Sequence, residues 1–277
     1  MKNRKTNKVI FWFLLAVAPL YGRYDTSTSD TDEYIRFCIE AVESEEVFSR
    51  FKIAPVYNVV LEHVSEELGR GYLDVVLEQT PELLEKIEAF RENDRIGSPV
   101  IAQYAETGAL SPTTVRYMKV ASDLKTLFGD ELEGARVIEI GGGYGGLCKI
   151  LSEYFHFQSY TIVDLPEPLL LAKKYLERMG ICGISFLTHL DPIPEGEFDL
   201  VIANYSFCEC TGAMQDKYAK EILSCARRGY ITCNPPNLAI TPSKDEMLEK
   251  LRRHFIPFRE IPERPNLCAP NYILFWD

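Results

Sequence analysis

The most informative stretch of this sequence is Val137-Ile138-Glu139-Ile140-Gly141-Gly142-Gly143-Tyr144-Gly145-Gly146. An apolar run leads into five glycines within six positions, and the segment 147–154 that follows has the pattern of a helix. Glycine is favoured where a chain turns with positive φ or where a ligand lies against bare backbone. A helix after such a loop directs unpaired N–H groups and its positive dipole end toward the loop. We therefore predict a strand, a ligand-binding loop and a helix.

Two cofactors are compatible with these glycines. Gly141-x-Gly143-x-x-Gly146 fits a dinucleotide fingerprint, and Glu139-x-Gly141-x-Gly143-x-Gly145 fits the first motif of class I methyltransferases, which use S-adenosyl-L-methionine (SAM). An acid at Glu139 would repel a pyrophosphate but can hold the ammonium of a methionine, so it favours SAM. Asp164 ends a second apolar run, where a carboxylate can accept hydrogen bonds from the ribose hydroxyls that NAD and SAM share. We predict SAM, with NAD as the alternative.

The second half of the chain alternates between strands and helices. Its strands are near-continuous apolar runs, as expected for a parallel sheet buried on both faces. After the last predicted helix come two extended runs, 257–261 and 272–276, with no helix between them. This ending predicts an antiparallel hairpin. The expected fold is α/β, a Rossmann-like seven-stranded class I methyltransferase sheet with an antiparallel C-terminal hairpin.

A helical cap is predicted ahead of this sheet. Apolar residues at helical spacing predict a first helix from about Asp30 through Phe48, a second that includes Val60 and Leu61, and a third that starts at Pro81. Turn residues interrupt the pattern at 93–99, and Ser111-Pro112 restarts a helix. We predict a cap domain at 24–130 and a SAM-binding domain at 131–277.

The first 23 residues form a hydrophobic segment. Four basic residues precede the apolar run 9–18, which is short of the ~20 residues that a spanning helix needs. Pro19 follows Ala18, where a signal peptide would be cleaved. A signal or anchor and a helix packed on the body both remain open. We predict a cytoplasmic protein, with membrane association through residues 9–20 as the alternative.

Charge and cysteine pattern limit the partners. The formal net charge is −11, although the first 23 residues contribute five basic and no acidic residues. An acidic body repels phosphate backbones, so we predict no nucleic-acid partner. The sequence has no C-x-x-C and its histidines are scattered, so we predict no metal site. The oligomeric state is left open.

Five motifs together resemble the sugar O-methyltransferase family. They lie in order between Phe90 and Asn234: Asn93-Asp94-x-Ile96-Gly97-x-Pro99, Ser111-Pro112-Thr113-Thr114-x-Arg116-Tyr117, Glu139 to Gly146, Asp164-Leu165-Pro166, and Asn204-Tyr205-Ser206-Phe207-x-Glu209. The resemblance implies the class I fold, SAM as cofactor and methylation of a hydroxyl on a sugar or glycoconjugate. The hydrophobic amino-terminal segment departs from the family pattern. An NAD(P)-dependent oxidoreductase and a catalytically silent SAM-fold binding protein are the alternatives.

Residue roles follow from the chemistry of methyl transfer. A sugar hydroxyl is a poor nucleophile, and Glu209, on the loop after the fourth large strand, is the predicted catalytic base. Its alternative is a solvated loop acid or a charge at the start of the next helix. The cofactor is predicted to contact Glu139, Gly141, Gly143, Gly145, Asp164, Leu165, Thr188, His189 and Asn204. The acceptor is predicted to contact Asn93, Asp94, Arg116, Tyr117 and Tyr144. Two alternatives stay open for the acceptor set: an Asp94–Arg116 ion pair, and Tyr144 as a packing residue.

Overall fold

The computed structural model describes residues 26–194, 196–265 and 270–277. The hydrophobic segment at 1–23 lies outside the described residues, so its role stays a prediction. Within the described ranges, no helix combines the length and the apolar character needed to cross a bilayer.

The strands of the described residues form a small hairpin and one large sheet. They are β1 Ala102–Tyr104, β2 Gly108–Leu110, β3 Arg136–Ile140, β4 Ser159–Asp164, β5 Ile184–Thr188, β6 Phe198–Asn204, β7 Ala226–Cys233, β8 Arg259–Pro262 and β9 Tyr272–Trp276. The large sheet has the order β5-β4-β3-β6-β7-β9-β8. Strands β3 to β7 are parallel, and β9 runs antiparallel between β7 and β8. The predicted seven-stranded sheet with an antiparallel C-terminal hairpin is confirmed. The β1–β2 hairpin was not predicted.

Strand β3 lies in the middle of the parallel part because it is apolar on both faces. Val137 packs in the core shared with the N-terminal helices, whereas Ile138 and Ile140 pack in the core on the opposite face. Side chains alternate along a strand, so a strand buried on both faces needs an apolar residue at nearly every position. The parallel arrangement brings the carboxyl ends of β3, β4 and β6 to one edge of the sheet.

The α-helices of the described residues are α1 Asp32–Glu43, α2 Glu45–Phe48, α3 Pro55–Tyr57, α4 Glu66–Gln79, α5 Ile87–Arg91, α6 Pro112–Phe128, α7 Gly146–Tyr154, α8 Pro166–Arg178, α9 Gly212–Glu221 and α10 Lys244–Arg253. Capping residues set several of these starts. The Ser111 hydroxyl accepts a 3.1 Å hydrogen bond from the Thr114 amide. Ser243 and Glu246 form a capping box, so α10 begins directly after Ser243.

The helices of the N-terminal half are more broken than predicted. Ser44 caps α2, which divides the predicted first helix. Val60 and Leu61 lie in a π-helical turn, Asn58–Glu62, because α4 begins only at its own cap. The third predicted helix is a 3₁₀ segment, Pro81–Lys86, followed by α5.

Helix α6 joins the N-terminal helices to the sheet. It is buried along nearly its whole length and packs against both α4 and α7. One apolar core includes Tyr57 and Leu73 of the N-terminal half as well as Val137 and Tyr230 of the sheet. Cap and sheet share this core, so the division at residue 130 stays a prediction.

Candidate functional site

A cavity lies at the carboxyl edge of the sheet. Its walls are the ends of β3, β4 and β6, the glycine loop, the π-helical turn and the segment that precedes α1. Among the predicted site residues, the cavity is lined by Arg116, Tyr117, Glu139, Gly141, Gly143, Asp164, Leu165, Asn204 and Glu209. The described lining residues do not include Asn93, Asp94, Tyr144, Gly145, Thr188 or His189.

The glycine loop has a backbone that only glycine adopts easily. The φ angle is +75° at Gly141, +54° at Gly143 and +86° at Gly145. A Cβ at Gly143 would lie 2.7 Å from Cδ1 of Leu61, and one at Gly145 would lie 2.9 Å from the Leu176 side chain. The immediate crowding at these positions therefore comes from protein side chains. The predicted positive φ is observed at these glycines, and the crowding by protein side chains is an additional reason for glycine.

Glu139 is a buried acid on the cavity wall. The Tyr160 hydroxyl donates a 2.8 Å hydrogen bond to its Oε2. Burial raises the pKa of Glu139 to about 8, and the nearby charge of Asp164 adds to that rise. A cation next to the carboxylate would lower this pKa again. The position therefore favours a positively charged ligand group such as the ammonium of a methionine.

Asp164 ties the end of β4 to the glycine loop. Its Oδ2 accepts a 3.0 Å hydrogen bond from the Gly143 amide, and its Oδ1 accepts a 2.7 Å bond from the Leu165 amide. The carboxylate is enclosed, although the residue keeps some surface, and this burial raises its pKa to about 6. A carboxylate has about four acceptor positions, so capacity for ribose hydroxyls remains.

Three buried polar atoms at the cavity have no hydrogen-bond partner among the described residues. They are Oδ1 of Asn204, at the end of β6, Nε of Arg116, on α6, and Oδ1 of Asn271, just before β9. Buried polar atoms are normally paired, so these three mark positions where a ligand would supply the partner. An acid for the ammonium, an acid for the ribose and these polar groups fit SAM.

Glu209 is held firmly on the cavity wall. Its Oε2 accepts hydrogen bonds from the hydroxyls of Thr28 (3.1 Å) and Ser29 (3.3 Å), and its Oε1 accepts one from the Asn234 amide (2.8 Å). The residue at the capping position of α9 is Thr211. The alternatives of a solvated loop acid and of a helix-start charge are therefore not what the structure shows.

Thr188 and His189 organise the turn after β5. The Thr188 amide donates a 2.7 Å hydrogen bond to Asp191, and the His189 amide donates a 3.1 Å bond to the Asp164 carbonyl. Burial and the charge of Lys217 lower the pKa of His189. Their predicted contact with the adenine stays a prediction.

Asn93 and Asp94 connect the turn before β1 to α6 instead of lining the cavity. Nδ2 of Asn93 donates a 2.7 Å hydrogen bond to the Thr114 hydroxyl, and its Oδ1 accepts a 2.6 Å bond from the Tyr175 hydroxyl. Asp94 accepts 2.7 Å hydrogen bonds from the Ser111 amide and the Thr114 hydroxyl. Their polar atoms are engaged within the protein, which corrects the expectation that they bind the acceptor.

Tyr144 is a packing residue. It is completely buried and meets Phe51 and Tyr175 edge to face, with ring centroids 5.4 Å and 4.9 Å apart. This corrects its assignment to the acceptor. The considered Asp94–Arg116 ion pair is not formed either, because the Arg116 guanidinium donates to the Leu61 carbonyl at 3.0 Å.

Sequence reasoning missed two parts of the cavity wall. Tyr205 directly follows Asn204 and has φ +67°, a strained value for a residue with a side chain, while its hydroxyl donates a 2.6 Å hydrogen bond to Glu263. The segment before α1 was missed as well, and there the Thr28 amide donates a 3.0 Å hydrogen bond to the Glu209 carbonyl. The one sequence signal that Tyr205 lines the cavity is its position directly after Asn204, a predicted site residue.

In the part of the chain that the structure describes, no three His, Cys, Asp or Glu side chains are grouped as a metal ion would require.

Comparisons with known proteins identify the central part of the chain. Residues 138–232 match a family model described as a methyltransferase domain. The chain is 29% identical over 89 residues, 30% of its length, to malonyl-(acyl-carrier protein) O-methyltransferase of Geobacter sulfurreducens. It is 26% identical over 88 residues, 29% of its length, to demethylspheroidene O-methyltransferase of Rhodobacter capsulatus. The matched segments span only 32% and 22% of those two proteins.

The chain is also similar to the solved structure of magnesium protoporphyrin IX methyltransferase from Synechocystis PCC 6803 with bound SAH, with a TM-score of 0.47 and 16% identity, covering 73% of this chain and 98% of that one. The acids at Glu139 and Asp164 and the match of residues 138–232 to a methyltransferase domain favour SAM over a nicotinamide cofactor. The seven-stranded sheet has the strand order of the class I methyltransferase fold, and the cofactor is SAM.

Proposed function

We propose that the protein is an O-methyltransferase that transfers the methyl group of SAM to a hydroxyl of a sugar or glycoconjugate. The observation that carries this proposal is the carboxylate of Glu209 on the wall of the cavity that Glu139 and Asp164 also line. The two relatives named above are O-methyltransferases by name, with other acceptors. The sugar acceptor is supported by the five motifs and by the chemistry of the cavity wall.

The cavity wall around Glu209 is rich in neutral polar groups. Tyr72, Tyr205, Asn234 and Asn271 line the cavity together with Glu209. Hydroxyl and amide groups both donate and accept hydrogen bonds, as the adjacent hydroxyls of a sugar require. Aromatic side chains present flat apolar faces with a polar tip, which suits the mixed surface of a sugar ring. This combination favours a hydroxylated acceptor over a purely apolar one.

Glu209 is the proposed base. When bound, SAM would supply a methyl group activated by its sulfonium. Glu209 would accept the proton of the acceptor hydroxyl, whose oxygen would take the methyl group while the electron pair of the broken bond stays on sulfur. Thr28, Ser29 and Asn234 fix the carboxylate in one orientation. Such a base typically contributes ~10²–10⁴ in rate, and alignment of the two substrates contributes the rest.

The test is to incubate the purified protein with deuteriomethyl-labelled SAM and a glycan extract of the source cells. We expect a deuteriomethyl ether on a sugar, located by mass spectrometry of the hydrolysed glycans. The Asp164→Ala variant serves as the matched control, at a SAM concentration that saturates only the wild type, because it is expected to bind the cofactor more weakly. Label on a carboxyl group, on a lipid or on protein, with none on sugar, would contradict the sugar acceptor. Binding of SAM without transfer to any extract would favour the silent binding protein.

A further inference from the structure

We infer that Arg116 binds the carboxylate of the methionine part of SAM, and is therefore a cofactor-binding residue and not an acceptor-binding one. The inference rests on the cofactor of the domain and not on the identity of the acceptor. It assigns to the described cavity a positive charge that matches the one negative group of the cofactor.

Arg116 is a buried cation with incomplete hydrogen bonding. It is 5% exposed, and its side chain donates one 3.0 Å hydrogen bond, to the Leu61 carbonyl, while its Nε has no partner among the described residues. A guanidinium has five N–H donors and is stabilised by a planar anion when it is buried. Lys119, one turn further along α6, is also a buried cation. Its charge is balanced by an ion pair with Asp123 at 2.7 Å. The environment of Arg116 lacks such an anion at that distance within the described chain.

The charges of the cavity wall leave Arg116 as the group for a carboxylate. Three acids, Glu139, Asp164 and Glu209, line the described cavity, and the basic side chains there are Arg116 and His63. Loss of solvation and the charge of Arg116 lower the pKa of His63, so its ring is neutral near pH 7. An amino-acid ligand has an ammonium and a carboxylate. Glu139 suits the ammonium, and Arg116 is the matching cation for the carboxylate.

Arg116 lies between two elements of the cavity wall. Its guanidinium is 5.7 Å from the ring of Tyr205, which follows Asn204 at the end of β6, and it donates to the Leu61 carbonyl of the π-helical turn. Ser206, the residue after Tyr205, packs against Gly141 at the start of the glycine loop. Arg116 therefore shares the cavity wall with the end of β6 and the glycine loop.

Glu62 is an acid whose charge acts on Arg116, but the two side chains form no ion pair in the described chain. Burial raises the pKa of Glu62, and the charge of Lys52 opposes that rise. Its Oε1 is buried without a hydrogen-bond partner among the described residues. The Arg116 guanidinium therefore has room for a direct carboxylate partner from the cofactor.

The test compares two ligands that differ by one carboxylate. S-adenosylhomocysteine (SAH) and its decarboxylated analogue, 5′-deoxy-5′-(3-aminopropylthio)adenosine, share the adenosine, the thioether and the ammonium. Calorimetric titration of wild-type protein should show SAH binding ~10–100-fold more tightly, as expected for hydrogen bonds to a charged group. Arg116→Gln should abolish this preference by weakening SAH while leaving the analogue unchanged. Arg116→Lys should retain part of it, since the charge remains.

Glu139→Gln is the matched control, because both ligands keep the ammonium. It should weaken both to the same extent and leave their ratio as in the wild type. Wild-type SAH affinity in Arg116→Gln, or an equal loss of both ligands in a folded variant, would overturn the inference. Circular dichroism and melting temperature establish the fold. No acceptor is present, so failure of the proposed sugar specificity does not affect the outcome.

Discussion

The backbone amide of Gly143 donates a 3.0 Å hydrogen bond to Oδ2 of Asp164. This contact joins the loop after β3 to the carboxyl end of β4. Both residues line the cavity, so the carboxylate that holds the loop also borders the cavity. We therefore expect a change at Asp164 to alter loop order and cofactor affinity together.

Asp164→Ala should weaken SAM binding by roughly 1.5–3 kcal/mol, the usual contribution of hydrogen bonds to a charged group. Isothermal titration calorimetry measures the change. Asp199→Ala is a suitable control, because Asp199 is an acid of β6 that bonds to Arg136 at 2.9 Å and does not line the described cavity. Unchanged SAM affinity in a folded Asp164→Ala protein would remove Asp164 from the cofactor site.

Glu139 should make the protein less stable as pH rises. Its folded pKa of about 8 lies above its ordinary value of 4.5, so the folded state binds more protons than the unfolded state between these values. The free energy of unfolding must then fall as pH rises through this window. Asp164, with a folded pKa of about 6, also lowers the free energy of unfolding as pH rises, but at lower pH. Between about pH 6.5 and 8, ionisation of Glu139 alone should lower the free energy of unfolding by roughly 2 kcal/mol.

Urea unfolding of the wild type and of Glu139→Gln at the two ends of this range tests that prediction. The glutamine variant cannot ionise there, so it should gain stability relative to the wild type as pH rises. Glu85→Gln, at an exposed position, should follow the wild type. Parallel pH profiles for wild type and Glu139→Gln would show that Glu139 does not titrate in this way.

Gly143→Ala should destabilise the protein and weaken SAM binding. A φ of +54° costs a residue with a side chain ~1–2 kcal/mol, and the new Cβ would press on Leu61 at 2.7 Å. Leu61→Ala should relieve the second effect but not the first. The double variant should therefore lose less stability than the sum of the two single changes. Additive losses in chemical denaturation would mean that Leu61 does not crowd this glycine.

The fold follows from the sequence because its strands carry their own signal. Val137 to Ile140 is apolar on both faces, which predicts a strand in the parallel centre of the sheet. Tyr272 to Trp276 has no helix directly before it, which predicts an antiparallel strand at the edge. The cap is less predictable. Leu61 has helical spacing with its neighbours, but a π-helical turn replaces the helix because the cap at Ser65 delays α4.

Some residues of the candidate site could also be predicted from the sequence, and others could not. Glu139, Asp164 and Asn204 were predictable because the ends of neighbouring parallel strands meet at one edge. Asn93 and Asp94 were not, because their partners, such as Tyr175, come from distant parts of the chain. A turn rich in polar residues does not indicate whether those residues face a ligand or each other.

Thr28→Ala separates support of Glu209 from its chemistry. The change removes one of the hydroxyl donors to Oε2 and keeps the carboxylate. We expect a loss of about 1 kcal/mol of stability, typical of one hydrogen bond, and a rate of methyl transfer within a few-fold of wild type. Melting temperature and single-turnover transfer to the glycan extract measure the two effects. A rate as low as that of a Glu209 variant would indicate that the segment before α1, and not the carboxylate, limits the reaction.

Single-turnover methyl transfer by Glu209→Gln tests the central claim most directly. The amide keeps the shape of the side chain but cannot accept the hydroxyl proton. With saturating labelled SAM and the same glycan extract, we predict a rate ~10²-fold or more below wild type, with SAM affinity unchanged by calorimetry. A glutamine variant that forms the labelled sugar ether at the wild-type rate, and only melts at a lower temperature, would contradict the assignment of Glu209 as the base.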